Sequence, residues 1–204
     1  MNTAYKVKLV VICVTVGVIF GVGLFLFDFF EIPVDIDFKP FFIPLVFAIL
    51  LPNGWPVAAV ALGSVLGEAI RDFFEGYGPD DIPGLVGFFI SFYMAGYLIG
   101  DNPLNKTRIF LVATFVGAFQ AAFEAVVFLL FGDAGAWVAL WSWFGNSVTH
   151  GIVMGAIPTI WLVPKFHGRI ERYLGFPPRG KDKSRNGGQR RRRSDRNLAY
   201  SERR

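Results

Sequence analysis

The sequence predicts an all-α, polytopic transmembrane helix bundle of about six helices, followed by a disordered basic tail. Of the 204 residues, 53% are hydrophobic and 18% are charged, whereas ordinary soluble domains carry about 25% charged residues. The mean hydropathy is +0.48. Charge is unevenly distributed, because residues 165–204 hold fourteen basic and four acidic side chains while the first 164 residues hold six basic and twelve acidic ones. An apolar body with a basic end is typical of an integral membrane protein.

Several other classes of protein are excluded by composition. The single cysteine, Cys13, excludes a disulfide framework and a cysteine-based zinc site. Two histidines, His150 and His167, leave little room for a histidine-rich metal centre, so we expect no metal site and no cofactor. The body contains no basic face or recognition motif for nucleic acid. Motifs for nucleotide binding and covalent catalysis are absent as well, so no catalytic residue is predicted.

Six apolar stretches define the predicted helices. They cover residues 9–27, 38–51, 56–70, 85–99, 109–131 and 138–163. The first is longer than the apolar core of a signal peptide and lacks a cleavage site after it. Two prolines around Asn53-Gly54 end the second helix and begin the third. Because these two helices are only about 21–23 Å long, two full crossings and a re-entrant hairpin both remain open.

The basic residues predict the orientation. With the N-terminus inside, the cytoplasmic segments hold eighteen Lys and Arg, and the outer loops hold only Lys39 and Arg71. We therefore expect a multi-pass plasma-membrane protein with both termini cytoplasmic. Residues 1–174 form the membrane domain and residues 175–204 the disordered tail. The tail is expected to contact anionic lipids, at about 1 kcal/mol for each basic residue near the surface.

Polar side chains within the predicted helices lie mostly in the outer half of the bilayer. Such residues are candidates for function because their burial is costly. Glu124 and Asn146 each have a polar neighbour four residues away on the same helix face, and the third helix ends in charges. The predicted solute-binding residues are Glu68, Arg71, Gln120, Glu124, Trp141, Trp143, Asn146 and His150. They predict a polar cavity open to the outside, whereas an interfacial charge cluster, an aromatic belt and interhelical hydrogen bonding remain the structural alternatives.

Two segments resemble a known family of membrane proteins. These are Phe41-Phe42-Ile43-Pro44-Leu45 and the stretch Gly63-Ser64-Val65-Leu66-Gly67-Glu68-Ala69-Ile70-Arg71-Asp72. With the six-helix plan, they resemble the substrate-binding S components of energy-coupling-factor transporters. The resemblance implies capture of a small molecule, a vitamin or a metal, from the outer face. It also implies docking on a transmembrane coupling protein that carries ATPase subunits, with Gly17 and Gly21 standing where the family has alanines in its docking face.

Three functional hypotheses follow from the sequence. The first is a non-enzymatic substrate-capture subunit, with ATP hydrolysis on partner chains. The second is a membrane scaffold or assembly factor whose polar residues only hold helices together. The third is a membrane-embedded enzyme that uses Glu124 and His150 as an acid–base pair on a lipid. The ligand is not identified, although aromatic and carboxylate surroundings favour a cationic or heteroaromatic solute.

Overall fold

All regular elements in the described part of the chain are helices. The computed structural model describes residues 2–27, 36–76, 78, 81–131 and 135–180. The helices are α1 (Thr3–Phe27), α2 (Phe42–Leu50), α3 (Trp55–Glu75), α4 (Asp81–Leu98), α5 (Lys106–Phe131), α6 (Ala136–Phe166) and α7 (Ile170–Tyr173). The predicted all-α class is confirmed.

Four of these helices are long and apolar enough to cross a membrane. They are Thr3–Phe27, Asp81–Leu98, Ala136–Phe166 and, within α5, Lys106–Val127. Their outward faces carry large hydrophobic side chains, among them Val10, Val18 and Leu26 of α1, each more than half exposed. Because apolar surface of this extent is unstable against water, these are the features of a membrane protein.

The bundle has two chemically different ends. At the end that we call acidic, α3 and α5 finish and α4 and α6 begin, so that Glu75 and Asp81 lie there. At the opposite, basic end, α1 begins near Lys6 and Lys8 and α6 finishes near Lys165. The start of α1 and residues 175–176 meet at this basic end, because Lys8 Nζ donates a hydrogen bond to the Gly175 carbonyl oxygen at 3.2 Å.

α2 is shorter than its predicted range because Pro40 disfavours helical conformation in Lys39, the residue before it. The helix is about 14 Å long and spans less than half of a bilayer core. It is preceded by non-helical residues 36–40, which we call the extended segment. Lys39 contacts the last turns of α3 at the acidic end, and Leu51 contacts Arg179 at the basic end. The extended segment and α2 together therefore connect the last turns of α3 to the basic end of the bundle.

α1 and α3 approach each other closely through glycines. A Cβ added at Gly17 would lie 3.0 Å from the Gly63 carbonyl oxygen, and one at Gly21 would lie 3.4 Å from the Gly67 Cα. These contacts bury Gly17 and Gly21 inside the protein. The prediction that they form an exposed docking face is therefore wrong: the small residues serve packing against α3.

α6 contains a long π-helical insertion, Ser147–Ala156, between two α-helical segments, Ala136–Asn146 and Ile157–Phe166. Two side chains within or beside it bond back to the preceding turn, Ser147 Oγ to Trp143 O at 2.6 Å and Thr149 Oγ1 to Gly145 O at 3.1 Å. Insertions of this kind are frequent at functional sites. Here the insertion holds His150.

The boundary of the predicted tail lies too early. Residues 175–180 pack on the bundle: the Phe176 ring meets Tyr5 edge to face at 6.2 Å, and Arg179 Nη1 donates to the carbonyl oxygens of Ile49 and Leu51 at 3.1 and 3.0 Å. Burial lowers the pKa of the Arg179 guanidinium, although the nearby Asp101 opposes this shift. The rest of the predicted tail, residues 181–204, lies outside the described residues.

Candidate functional site

A cavity of about 70 Å³ lies near the acidic end of the bundle. The helix geometry explains its position, since Glu68 and Glu124 each lie seven residues before the end of their helix, or about 10 Å below it. The extended segment closes the cavity from a further side. The walls are formed by Asp37, Lys39, Glu68, Arg71, Asp72, Asp81, Gly84, Leu85, Phe88, Glu124 and Asn146.

Lys39 is the central cation of this site and is only 5% exposed. Its Nζ lies 2.9 Å from Glu124 Oε1, 3.1 Å from Glu68 Oε1 and 3.5 Å from Asp37 Oδ2. It also lies 5.3 Å from the centre of the Phe88 ring, within the range of a cation–π interaction. A buried ammonium group is tolerated only when it is paired, and here three carboxylates share it.

Arg71 is the second cation and shares a face of α3 with two of its partners, Glu68 and Glu75. Its guanidinium lies 3.5 Å from Glu68, 3.8 Å from Asp72 and 3.1 Å from Glu75. Pairs at positions i,i+3 and i,i+4 face each other on a helix, which allows the charged end of α3 to remain helical beyond its predicted limit at residue 70. Arg71 thus neutralises part of the charge on this wall.

His150 and Gln120 lie behind the cavity wall and hold its carboxylates. The fully buried His150 ring contacts the Asp37 carboxylate through Nε2 and stacks on Phe41 with the ring centres 4.7 Å apart. Gln120 Nε2 donates to Glu124 Oε1 at 2.7 Å. The backbone N–H of Asp37 donates to Asn146 Oδ1 at 3.1 Å. His150 of the π-helical insertion therefore positions Asp37 of the extended segment, and Gln120 of α5 positions Glu124 in the cavity wall.

The cavity has more negative than positive charge. Its walls hold five carboxylates, from Asp37, Glu68, Asp72, Asp81 and Glu124, and two cations. Glu68 and Asp72 are 4% and 3% exposed, and one carboxylate oxygen of each, Oε2 and Oδ2, has no hydrogen-bond partner among the described residues. Unpartnered buried carboxylate oxygens are costly. The site therefore has the capacity to accept further hydrogen-bond donors or positive charge.

The floor of the cavity is aromatic. Phe88 contacts the cavity, and beneath it the rings of Phe20, Phe41 and Phe92 are all fully buried. Ring centres within this cluster are 5.1–6.2 Å apart, which is the usual range for packed aromatic pairs. This packing separates the cavity from the basic end.

Most of the predicted binding residues meet at this site, but with different roles. Glu68, Arg71, Glu124 and Asn146 line the cavity. Gln120 and His150 lie in the layer behind it. Because Glu124 contacts Lys39 and Gln120 while His150 contacts Asp37, the two residues of the proposed acid–base pair have separate partners.

Trp141 and Trp143 do not line this cavity. The buried face of this part of α6 is formed by Ala139, Ser142 and Asn146, and residues 141 and 143 lie about 100° to either side of Ser142. Trp141 is 47% exposed. Trp143 Nε1 donates to Ala118 O at 3.0 Å, and the residue lines a separate apolar groove of about 360 Å³ beside α5.

Four charged wall residues were missing from the predicted set: Asp37, Lys39, Asp72 and Asp81. A signal for Lys39 was present, because it and Arg71 are the two basic residues of the acidic outer loops, and these are the two cations that the carboxylates surround. Within the described ranges, no group of three or more His, Cys, Asp or Glu side chains is arranged to hold a metal ion.

Comparison with known proteins gives one match. A model of a family of unknown function (DUF8171) matches residues 138–197, a stretch that includes Asn146, His150 and Arg179. No curated protein and no solved structure matches the chain.

Proposed function

We propose that this protein is a non-enzymatic solute-binding subunit of the plasma membrane that captures a small molecule from the outer side. In this proposal the acidic end faces outward and the basic end faces the cytoplasm, in agreement with the excess of Lys and Arg at the basic end. The extended segment with α2, together with α1 and α3–α6, makes six crossings. Both termini are then cytoplasmic.

The observation that carries the proposal is the charged cavity itself. Its walls come from five separate parts of the chain, and two of its buried carboxylates keep an oxygen to which no described residue donates a hydrogen bond. A wall built only for helix association would pair these groups, because unpaired ones reduce stability. Their retention next to a cavity is what a binding site requires.

Uptake requires partners that supply energy. The resemblance to S components supports a transmembrane coupling protein with ATPase subunits in this role. Since Gly17 and Gly21 are buried against α3, docking would use another surface. In this proposal the exposed valines of α1 provide an apolar surface for it, and the basic tail contacts anionic lipids.

A scaffold is the second candidate function, and the size of the cavity favours it. Ligand pockets commonly measure about 300–1,000 Å³, whereas this cavity measures about 70 Å³. A scaffold would use Lys39 and its carboxylates to fix the helices, and it would bind no solute. The two functions therefore differ in one measurable property, the binding of a solute.

Native mass spectrometry of the protein purified in mild detergent tests the proposal. We expect a small molecule bound at a ratio of one to one, retained in Asp101→Asn and lost in Glu124→Gln. Asp101 is the matched control because it is an exposed carboxylate at the basic end. If the wild type carries no solute in any preparation, or Glu124→Gln retains it, the scaffold becomes the better explanation. Gel filtration checks that both variants remain folded.

A further inference from the structure

We infer that the captured solute is a small protonated amine, bound through its ammonium group by the carboxylates of the cavity. This inference rests on the proposed function and specifies the substrate class of the same site. Three features carry it: the charge of the walls, the way Lys39 is bound, and the volume.

The charge of the walls selects a cation. Five carboxylates and two cations leave a formal charge of −3 around the cavity. Electrostatic interactions are stronger in a poorly hydrated site than in water, so an anionic solute is repelled and a neutral one gains little. Glu68 and Asp72 are more than nine-tenths buried, and each has one carboxylate oxygen without a hydrogen-bond partner in the part of the chain that the structure describes. These two residues are therefore the acceptors with remaining capacity.

Lys39 demonstrates how this site binds an ammonium group. A primary ammonium has three N–H donors and no acceptor, and the Lys39 Nζ has a carboxylate oxygen from Asp37, Glu68 and Glu124 within 3.5 Å. The face of Phe88 completes its surroundings. A solute amine finds the same kind of surroundings on the Asp72 side of the cavity, where Asp81 lies at the first turn of α4.

Volume and ligand geometry restrict the cation further. A cavity needs about 10–15 Å³ for each water molecule when its volume is measured in this way, so a cavity of about 70 Å³ holds about five to seven non-hydrogen atoms. Multivalent metal ions need three or more ligands converging on one point, and the described residues contain no such group of His, Cys, Asp or Glu. A short alkylammonium ion agrees with both restrictions.

The test compares four probes of similar size or charge on the full-length protein in detergent: n-propylammonium, 1-propanol, propionate and potassium ions. Binding is measured by calorimetry at constant ionic strength. We expect saturable binding of n-propylammonium alone. Asp72→Asn should weaken that binding at least tenfold, and Asp101→Asn should leave it unchanged. Asp81→Asn provides a second cavity variant if Asp72→Asn does not fold.

The outcomes separate this inference from the proposed function. If propionate, 1-propanol or potassium binds in the cavity and n-propylammonium does not, the amine class is wrong and solute capture stands. If n-propylammonium binds equally well to both cavity variants, the assigned carboxylates are wrong. If neither the probes nor a co-purified solute binds, the inference and the proposed function both fail.

Discussion

Replacing Lys39 by methionine removes the positive charge that Asp37, Glu68 and Glu124 share. Methionine has a similar length and volume, so the change leaves little additional cavity. Breaking a buried ion pair by removing one partner costs about 3–5 kcal/mol, because the other partner remains buried and charged. Three carboxylates lie within 3.5 Å of the Lys39 ammonium, so we expect a loss of at least about 3 kcal/mol of unfolding free energy.

The matched control is Lys165→Met at the basic end. Lys165 is exposed, and its ammonium lies against the Trp161 ring, an interaction worth about 0.5–1 kcal/mol at exposed sites. We therefore expect the control to lose no more than about 1 kcal/mol. The two substitutions change the net charge equally, so their difference reports the burial of Lys39 and its pairing.

The assay is equilibrium unfolding in mixed micelles of mild detergent and dodecyl sulfate, followed by fluorescence of the five tryptophans. A loss of 3 kcal/mol lowers the folding equilibrium constant about 100-fold, since 1.4 kcal/mol corresponds to a factor of ten. Adding Glu124→Gln to Lys39→Met should restore part of the loss, because it removes one of the uncompensated charges. Equal stabilities of Lys39→Met and Lys165→Met would refute the reasoning.

Two further predictions concern packing and the basic end. Gly63→Ala should destabilise the protein by about 1–3 kcal/mol, because its Cβ would lie 2.5 Å from Cys13 O. Gly135→Ala should be neutral, because the added Cβ would have no atom of the described residues within 4 Å apart from its chain neighbours. Equal stability of the two variants in the same unfolding assay contradicts close packing of α1 and α3. Arg179→Ala should lower the free energy of unfolding by about 1.5–3 kcal/mol, because the charged donor of four hydrogen bonds disappears; their acceptors lie on Ile49, Leu51, Asn53 and Gly96. Substitution of the exposed Arg169 by alanine is the control. A similarly small effect of both substitutions would show that residues 175–180 do not stabilise the bundle.

The helices could be predicted from sequence because each depends on local properties. Apolar runs, prolines and charged turns located each of the long helices that the structure describes. The helix boundaries that differ from the prediction have local causes that the pattern of apolar residues does not reveal. α3 continues to Glu75 because Arg71 pairs with charges on its own helix face, and α2 begins late because of Pro40. No local pattern indicated the π-helical insertion of α6.

The site could be predicted only in part because its contacts are distant in sequence. Lys39 and Glu124 are 85 residues apart, and Asp37 and His150 are 113 apart. Polar residues within apolar helices gave a clear signal for Glu124 and His150. Asp37 gave no such signal, and Lys39, although one of only two basic residues in the acidic outer loops, was interpreted as a loop charge. Trp141 and Trp143 were placed at the cavity because only their depth in the membrane was considered. The direction in which each side chain faces was not.

The unlike ends of the bundle favour capture over conduction. A pore needs polar groups along its whole depth, whereas here the cavity ends on the fully buried rings of Phe88, Phe92 and Phe41. At the basic end, Arg179 ties α2 and α4 together through carbonyl groups of Ile49, Leu51 and Gly96. A solute that enters from the acidic end therefore has no polar route through this arrangement. In the proposed function, release to the other side would therefore require the helices to move relative to one another or the whole subunit to reorient, and the ATPase-carrying partner would supply the energy for net uptake.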